Sequence, residues 1–94
     1  MDIKHKDNGK EGSFYVELDG KQEAEMTYRY SGDQEITIDH TEVNDSMKGH
    51  GIGKKLIDAA ADYLRQRNLK AVAECSFVKS VFEKKHDKYQ DIIK

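Results

Sequence analysis

The amino-acid sequence predicts an α+β domain: an antiparallel β-meander, then a βαβ crossover, then a closing helix, all on one mixed sheet. Three observations predict it. Apolar and polar residues alternate from Phe14 to Val43, the spacing turns helical after Val43, and a second apolar, β-compatible run extends from Ala71 to Val78. With 94 residues the chain supports one small core, so residues 1–94 are expected to form a single domain.

In the first strand of the meander Phe14, Val16 and Leu18 alternate with Tyr15 and Glu17, and Asp19-Gly20 tolerates the positive φ of a tight hairpin. Ala24, Met26, Tyr28 and Tyr30 form the second strand, ending at the turn Ser31-Gly32-Asp33. Ile36, Ile38 and His40 begin the third, which runs to Val43, and Ile3-Lys4-His5 offers an extra edge strand. Asp7 to Gly12 reads as a loose, mobile loop. Ile52, Leu56, Ala60, Tyr63, Leu64 and Arg67 share one face of an amphipathic helix that Asn68 stops. A strand from Ala71 to Val78 then pairs in parallel with the third strand through a right-handed crossover. Val78, Phe82, Tyr89 and Ile93 mark the closing helix, in which Tyr89 is core by its spacing with Phe82, Ile92 and Ile93.

Composition narrows the function. Hydrophobic and charged residues are each 36% of the chain, and mean hydropathy is −0.90, which suits a thin core under a solvated surface. A net charge of −2 and a pI near 6.1 remove the general basic field on which nonspecific nucleic-acid binding relies. No apolar run is long enough to span a bilayer, and Met1 to Lys6 lacks a signal-like stretch, so a cytoplasmic monomer without membrane or nucleic-acid partners is expected. Cys75 stands alone, without CxxC or zinc spacing, so neither a disulfide nor a metal is expected.

The most informative segment is Met47-Lys48-Gly49-His50-Gly51-Ile52-Gly53-Lys54-Lys55, between a strand and a helix. Alternate glycines let backbone N–H groups point inward, and the helix adds its unpaired donors and positive dipole end, which suits a phosphate. A connector with glycines that merely fit a bend is the plainer reading. A Walker A loop fails, because Lys48 stands where its first glycine belongs and Lys55 where its hydroxyl belongs. A dinucleotide fingerprint needs G-x-G-x-x-G after a first strand; this is G-x-G-x-G after a meander, although Glu74 lies at a tolerable distance for a ribose acid.

The segment resembles the pyrophosphate loop of the GNAT superfamily of acyl-CoA-dependent N-acetyltransferases, Arg/Gln-x-x-Gly-x-Gly/Ala. Lys48 stands at the Arg/Gln position, Gly51 and Gly53 match, and Gly49 and Ile52 agree with a common variant. The chain is more specifically similar to a small single-domain subgroup, through His40-Thr41-Glu42-Val43, Cys75-Ser76-Phe77-Val78 and His86-Asp87-Lys88-Tyr89. It departs in having Lys48 for the usual Arg and Asp87 where a Pro is common.

The resemblance implies a minimal GNAT-like fold with acetyl-CoA as cosubstrate and an amine of unknown identity as acceptor. Pantetheine would lie between two splayed strands, pairing with the backbone of Glu42 and Val43. The pyrophosphate would sit on the amides of Lys48, Gly49, His50, Gly51, Ile52 and Gly53, with Lys54 and Ser76 beside them. Lys79 and His86 would meet the 3′-phosphate or adenine, or be the wet face of the last helix. His40 or Glu42 would take the amine proton, or be plain strand residues. Cys75, placed opposite His40 by the family register, would accept the acetyl group, or be a small core filler. An acetyl-CoA-binding module without turnover is the alternative function.

Overall fold

Four antiparallel strands and one parallel strand make the sheet of the computed structural model, which describes residues 2–94. They are β1 (Lys4–Asp7), β2 (Glu11–Leu18), β3 (Lys21–Gly32), β4 (Glu35–Val43) and β5 (Lys70–Ala73), hydrogen-bonded in the order β1-β2-β3-β4-β5. The helices are α1 (Ile52–Arg67), α2 (Ser76–Lys84) and α3 (His86–Tyr89), and a 3₁₀ turn at Asp45–Met47 precedes the glycine segment. The expected mixed sheet, meander and crossover are all present.

Turn chemistry sets the register. Asp19 and Gly20 take φ of 52° and 77°, the conformation a two-residue hairpin requires. The stretch expected to be a mobile loop is instead a tight turn. Asn8 Oδ1 accepts the Lys10 and Glu11 amides, Asp7 Oδ1 accepts that of Gly9, and β2 begins at Glu11.

A bulge in β4 has the largest consequence for the site. Thr27 pairs with His40 and Tyr28 with Ile38, so Asp39 is the extra residue. Before it Ile36 and Ile38 face the helices; after it Thr41 and Val43 do, while His40 and Glu42 turn to the other face. Among the described residues, helices lie on one side only. Phe77 of α2 lies over Gly53 of α1, and the Tyr89 hydroxyl of α3 donates to Asp58 of α1 at 2.5 Å. Beneath them Val16, Met26, Ile36, Ile38, Leu56, Leu64 and Val78 are buried. No helix among the described residues covers the opposite face, which carries Tyr15, Glu25, Thr27, Arg29, His40 and Glu42.

Two expectations about the C-terminal quarter are corrected. The second parallel strand ends at Ala73 rather than Val78, because the Glu74 and Cys75 amides both donate to the Ile38 carbonyl and peel the chain away from β4. Val78, Val81 and Phe82 then bury one face of a helix, a spacing that wins over the β-compatible composition of the run. The closing helix is likewise two helices. It breaks at Lys85 (φ −118°, ψ 38°) within a charged stretch, after which Ile93 bridges Ala71 in parallel.

Candidate functional site

The site begins where β4 and β5 part. Their parallel register runs from Glu35–Lys70 to Ile38–Ala73 and stops, so from Asp39 to Val43 one edge of β4 has no strand partner among the described residues. A strand edge in that state presents main-chain donors and acceptors to an extended ligand. Val43 leads through the 3₁₀ turn into the glycine segment.

There, Gly49 and Gly51 take φ of 86° and 68°, in the left-handed region where a side chain is strained. Gly51 caps α1, and neither a side-chain cap nor an acidic residue occupies the first turn. Lys48 N donates to Asp45 O and Lys55 N to Gly51 O, but every amide from Gly49 to Lys54 lacks an acceptor among the described residues. That is the donor set an oxyanion needs, reinforced by the helix dipole. Lys48 is paired with Asp45 at 2.9 Å, an exposed contact that an incoming phosphate can displace.

Val43, Lys48, Gly49, Gly51, Ile52, Gly53 and Lys54 share one groove of about 240 Å³. Met47 and Phe77 complete it, and neither was singled out from sequence as a ligand contact. Phe77 is 40% exposed, so its ring offers an apolar wall to the groove. Its other side explains Gly53, where an added Cβ would lie 2.6 Å from the ring. Gly53 therefore makes room for Phe77. The Cys75-Ser76-Phe77-Val78 motif carries the signal for Phe77, hidden because its β-compatible composition suits a strand as well as a helix.

Two other expected contacts sit elsewhere. Lys79 and His86 line a second groove of about 270 Å³ against Val72, Ala73, Phe82 and Ile93. Ser76 is the first residue of α2, and His50 is an exposed residue of the loop.

Cys75 is the N-cap residue of α2, not a strand residue. Its Sγ lies 3.5 Å from the Thr41 hydroxyl, and the thiol is half-buried against the core. Burial pushes its pKa up, but the Thr41 hydroxyl and the amides of Val78, Phe77 and Thr41 together hold it below the ordinary thiol value. His40 is not beside it. Strand alternation turns His40 to the open face, where its Nε2 lies 3.4 Å from Glu42 Oε2, and no hydrogen bond joins it to the thiol. The expected Cys75–His40 pairing is thus replaced by Cys75–Thr41, the Asp39 bulge having exchanged which residues face the thiol.

Comparison with known proteins adds four findings. The model of the family described as GCN5-related N-acetyl-transferase matches residues 13–92. The chain is 37% identical over 70 residues to the NATD1 protein of Xenopus tropicalis, an alignment that covers 73% of this chain and 64% of that protein, so the chain spans less than two thirds of that relative's length. A GCN5-like protein from Staphylococcus aureus, solved by NMR, shares 40% identity and a TM-score of 0.73 over 97% of this chain and 87% of its own. The ribosomal-protein-alanine N-acetyltransferase of Brucella melitensis shares the fold at 22% identity, with a TM-score of 0.63 over 93% of this chain and 64% of its own.

Proposed function

This chain belongs to the GCN5-related N-acetyltransferases, and on that premise we propose that it binds acetyl-CoA and transfers the acetyl group to an amine. The observation that carries the reading is the continuity of open hydrogen-bonding groups. The unpaired edge of β4 from Asp39 to Val43 runs directly toward the acceptor-free amides of Gly49 to Lys54. A ligand with an extended amide-bearing arm and a pyrophosphate matches both halves, and the family generally uses acetyl-CoA. Val43 and Glu42 main-chain groups would pair with the arm, Gly49 to Lys54 would hold the phosphates, and Lys48 and Lys54 would balance their charge.

The thioester end would then lie near the point where β4 and β5 part, with Cys75 and Thr41 on one side and His40 and Glu42 on the other. An alkyl amine is almost fully protonated near neutral pH, so attack on the thioester carbonyl requires a group that removes a proton. His40 and Glu42 face the solvent side from which an amine arrives. In the direct route one of them takes the amine proton as the C–N bond forms and the C–S bond breaks. In the covalent route the Cys75 thiolate displaces CoA thiolate first, and the amine then takes the acetyl group from Cys75. Thr41 keeps the thiol partly poised for that role, but the separation of His40 from Cys75 favours the direct route.

Binding without turnover is a second reading, supported by the same separation and by the uncovered acceptor face. A thermal-shift panel with acetyl-CoA, CoA, ATP and NAD, followed by assay for free CoA thiol in the presence of amines, tests both. Ligand at a hundredfold its Kd raises stability by about 2.7 kcal/mol, which for a domain this small is roughly 10 °C or more in Tm. A shift with ATP or NAD and none with acetyl-CoA overturns the assignment of the loop. A shift with acetyl-CoA but no thiol release with any amine leaves the binding module.

A further inference from the structure

The uncovered face of the sheet holds a hollow of about 480 Å³, larger than the groove at the glycine loop and apart from it. At its floor Ser13 of β2 pairs across the sheet with Thr27 of β3. Ser13 is only 2% exposed, yet its Oγ has no hydrogen-bond partner among the described residues, a costly state for a buried hydroxyl. The Thr27 hydroxyl donates to Asp39 at 2.5 Å and so keeps a lone pair for a further donor.

Carboxylates stand around this pair of hydroxyls. Glu11, two residues before Ser13, and Glu25, two residues before Thr27, occupy diagonal corners, and neither makes a side-chain hydrogen bond or ion pair among the described residues. Asp39 closes the third side and is shared with Arg29 at 3.1 Å. Asp7 also borders the hollow, but its carboxylate is committed to Tyr28 and Tyr30. The one cation of the lining, Lys6, lies over the Tyr15 ring, 5.1 Å from its centroid. These acids surround a space instead of converging on a point, and no group of three metal-ligating side chains is close enough to hold a metal ion among the described residues. An ammonium group fits such a place, with three N–H donors to divide among two hydroxyls and a carboxylate.

Position links the hollow to the reaction. Its rim residue Asp39 is the first β4 residue beyond the last β4–β5 pair and the neighbour of His40. From β2 to β4 is two strand spacings, roughly 10 Å, the reach of an aliphatic chain carrying amines at both ends. We propose that the hollow around Ser13 and Thr27 binds the distal ammonium group of an aliphatic di- or polyamine acceptor, whose other amine lies at the β4–β5 opening. The inference rests on the acetyl-transfer reading and gives it a substrate class.

Spermidine and n-butylamine, titrated calorimetrically into the full chain at low salt with CoA present, separate the possibilities. Spermidine is expected to bind at least tenfold tighter than butylamine, and its affinity to fall at least tenfold in the double variant Glu11→Gln, Glu25→Gln. Ser13→Ala is expected to weaken spermidine severalfold while leaving Tm unchanged or raised, since it removes an unpaired buried hydroxyl; a purely structural hydroxyl would leave spermidine affinity untouched. Equal affinity for the two amines, or unchanged spermidine binding in a folded Glu11→Gln, Glu25→Gln protein, overturns the inference. The acetyl-CoA thermal shift reports independently on the premise. If that shift is present and spermidine does not bind, the ammonium site is wrong and the acetyl-CoA reading stands. If spermidine binds as described and acetyl-CoA gives no shift, the hollow stands as an ammonium site and the acceptor role is lost.

Discussion

Asp7 on the edge strand accepts the hydroxyls of Tyr28 at 2.5 Å and Tyr30 at 2.6 Å and the amide of Gly9 at 2.7 Å, whereas the amides from Gly49 to Lys54 find no acceptor among the described residues. Both regions are rich in polar groups near the surface, and both border α1. In the first the groups satisfy one another, with Tyr63 and His5 joining the network: His5 stacks on Phe14 at 4.1 Å and meets the Tyr28 hydroxyl at 2.6 Å. In the second they are held by positive-φ glycines with nothing to bond. A network that closes on itself stabilises the fold, while one left open awaits a ligand. Changes at the two places should therefore separate stability from binding.

The largest effect is expected at Gly51. A β-branched side chain at its φ of 68° costs about 1–2 kcal/mol and disturbs the amides that would hold the pyrophosphate. Gly51→Val should weaken acetyl-CoA at least a hundredfold by calorimetry while the circular dichroism of the sheet persists. Full affinity in a folded variant would break the contrast, because the loop would then be ordinary connector.

Next is Asp7→Asn, which keeps the shape and removes the charge that Tyr28 and Tyr30 address. Hydrogen bonds to a charged partner are worth more than neutral ones, and solvent at this exposed edge screens the difference, so a loss of about 1–2 kcal/mol in urea denaturation is expected. Acetyl-CoA affinity should not change. A loss of affinity here would mean that the closed network also positions the ligand.

The same network predicts how stability depends on pH. Burial, opposed by the Asp7 charge and reinforced by that of Arg67, holds the pKa of His5 below its ordinary 6.5. The folded state thus prefers neutral His5, and this contribution is complete above 6.5 and is lost as pH falls below it. For Asp7, burial pushes upward, but the Tyr28 and Tyr30 hydroxyls and the Gly9 amide outweigh it and leave the carboxyl below its ordinary 3.8. Its contribution is present above 3.8 and is lost as pH falls through the lower folded value. Tm should fall in two stages on acidification, and His5→Asn should erase the upper one. A single stage near pH 4 in the parent protein would remove His5 from the network.

Legibility in the sequence divides along similar lines. The meander, α1 and the glycine turn follow from periodicity and turn residues, which act locally. Asp39 as the bulge residue was hidden, because Thr37-Ile38-Asp39-His40-Thr41 alternates without a break and only the register against Thr27 and Tyr28 reveals the extra residue. That one residue decides which of His40 and Thr41 meets Cys75. The end of β5 was hidden for a related reason: Val78 suits a strand or a helix equally, and the choice falls to packing with Val81 and Phe82. The open network had a sequence signature, Gly49, Gly51 and Gly53, but one of these serves Phe77 and not a phosphate. The closed network had none, since Asp7, Tyr28 with Tyr30, and Tyr63 come from three elements far apart in the chain.

The smallest effect lies between the two regions, at Thr41, whose hydroxyl is 3.5 Å from the Cys75 thiol. Removing it by Thr41→Val keeps the shape of a β-branched side chain and deletes one of the groups that favour the thiolate, while the amides of Val78 and Phe77 remain. The pH midpoint for alkylation of Cys75 by iodoacetamide should therefore move upward, with little change in Tm. Saturating acetyl-CoA should slow alkylation in both proteins if the thioester lies beside this thiol. Cys75→Ser then divides the routes: acetyl transfer that survives with acetyl-CoA affinity intact fits the direct attack favoured by the geometry, and its loss at unchanged affinity restores the thiol as nucleophile. A midpoint unmoved by Thr41→Val would assign the poise of the thiol to the start of α2 alone, and one more polar contact at the β4–β5 opening would then count as fold and not as chemistry.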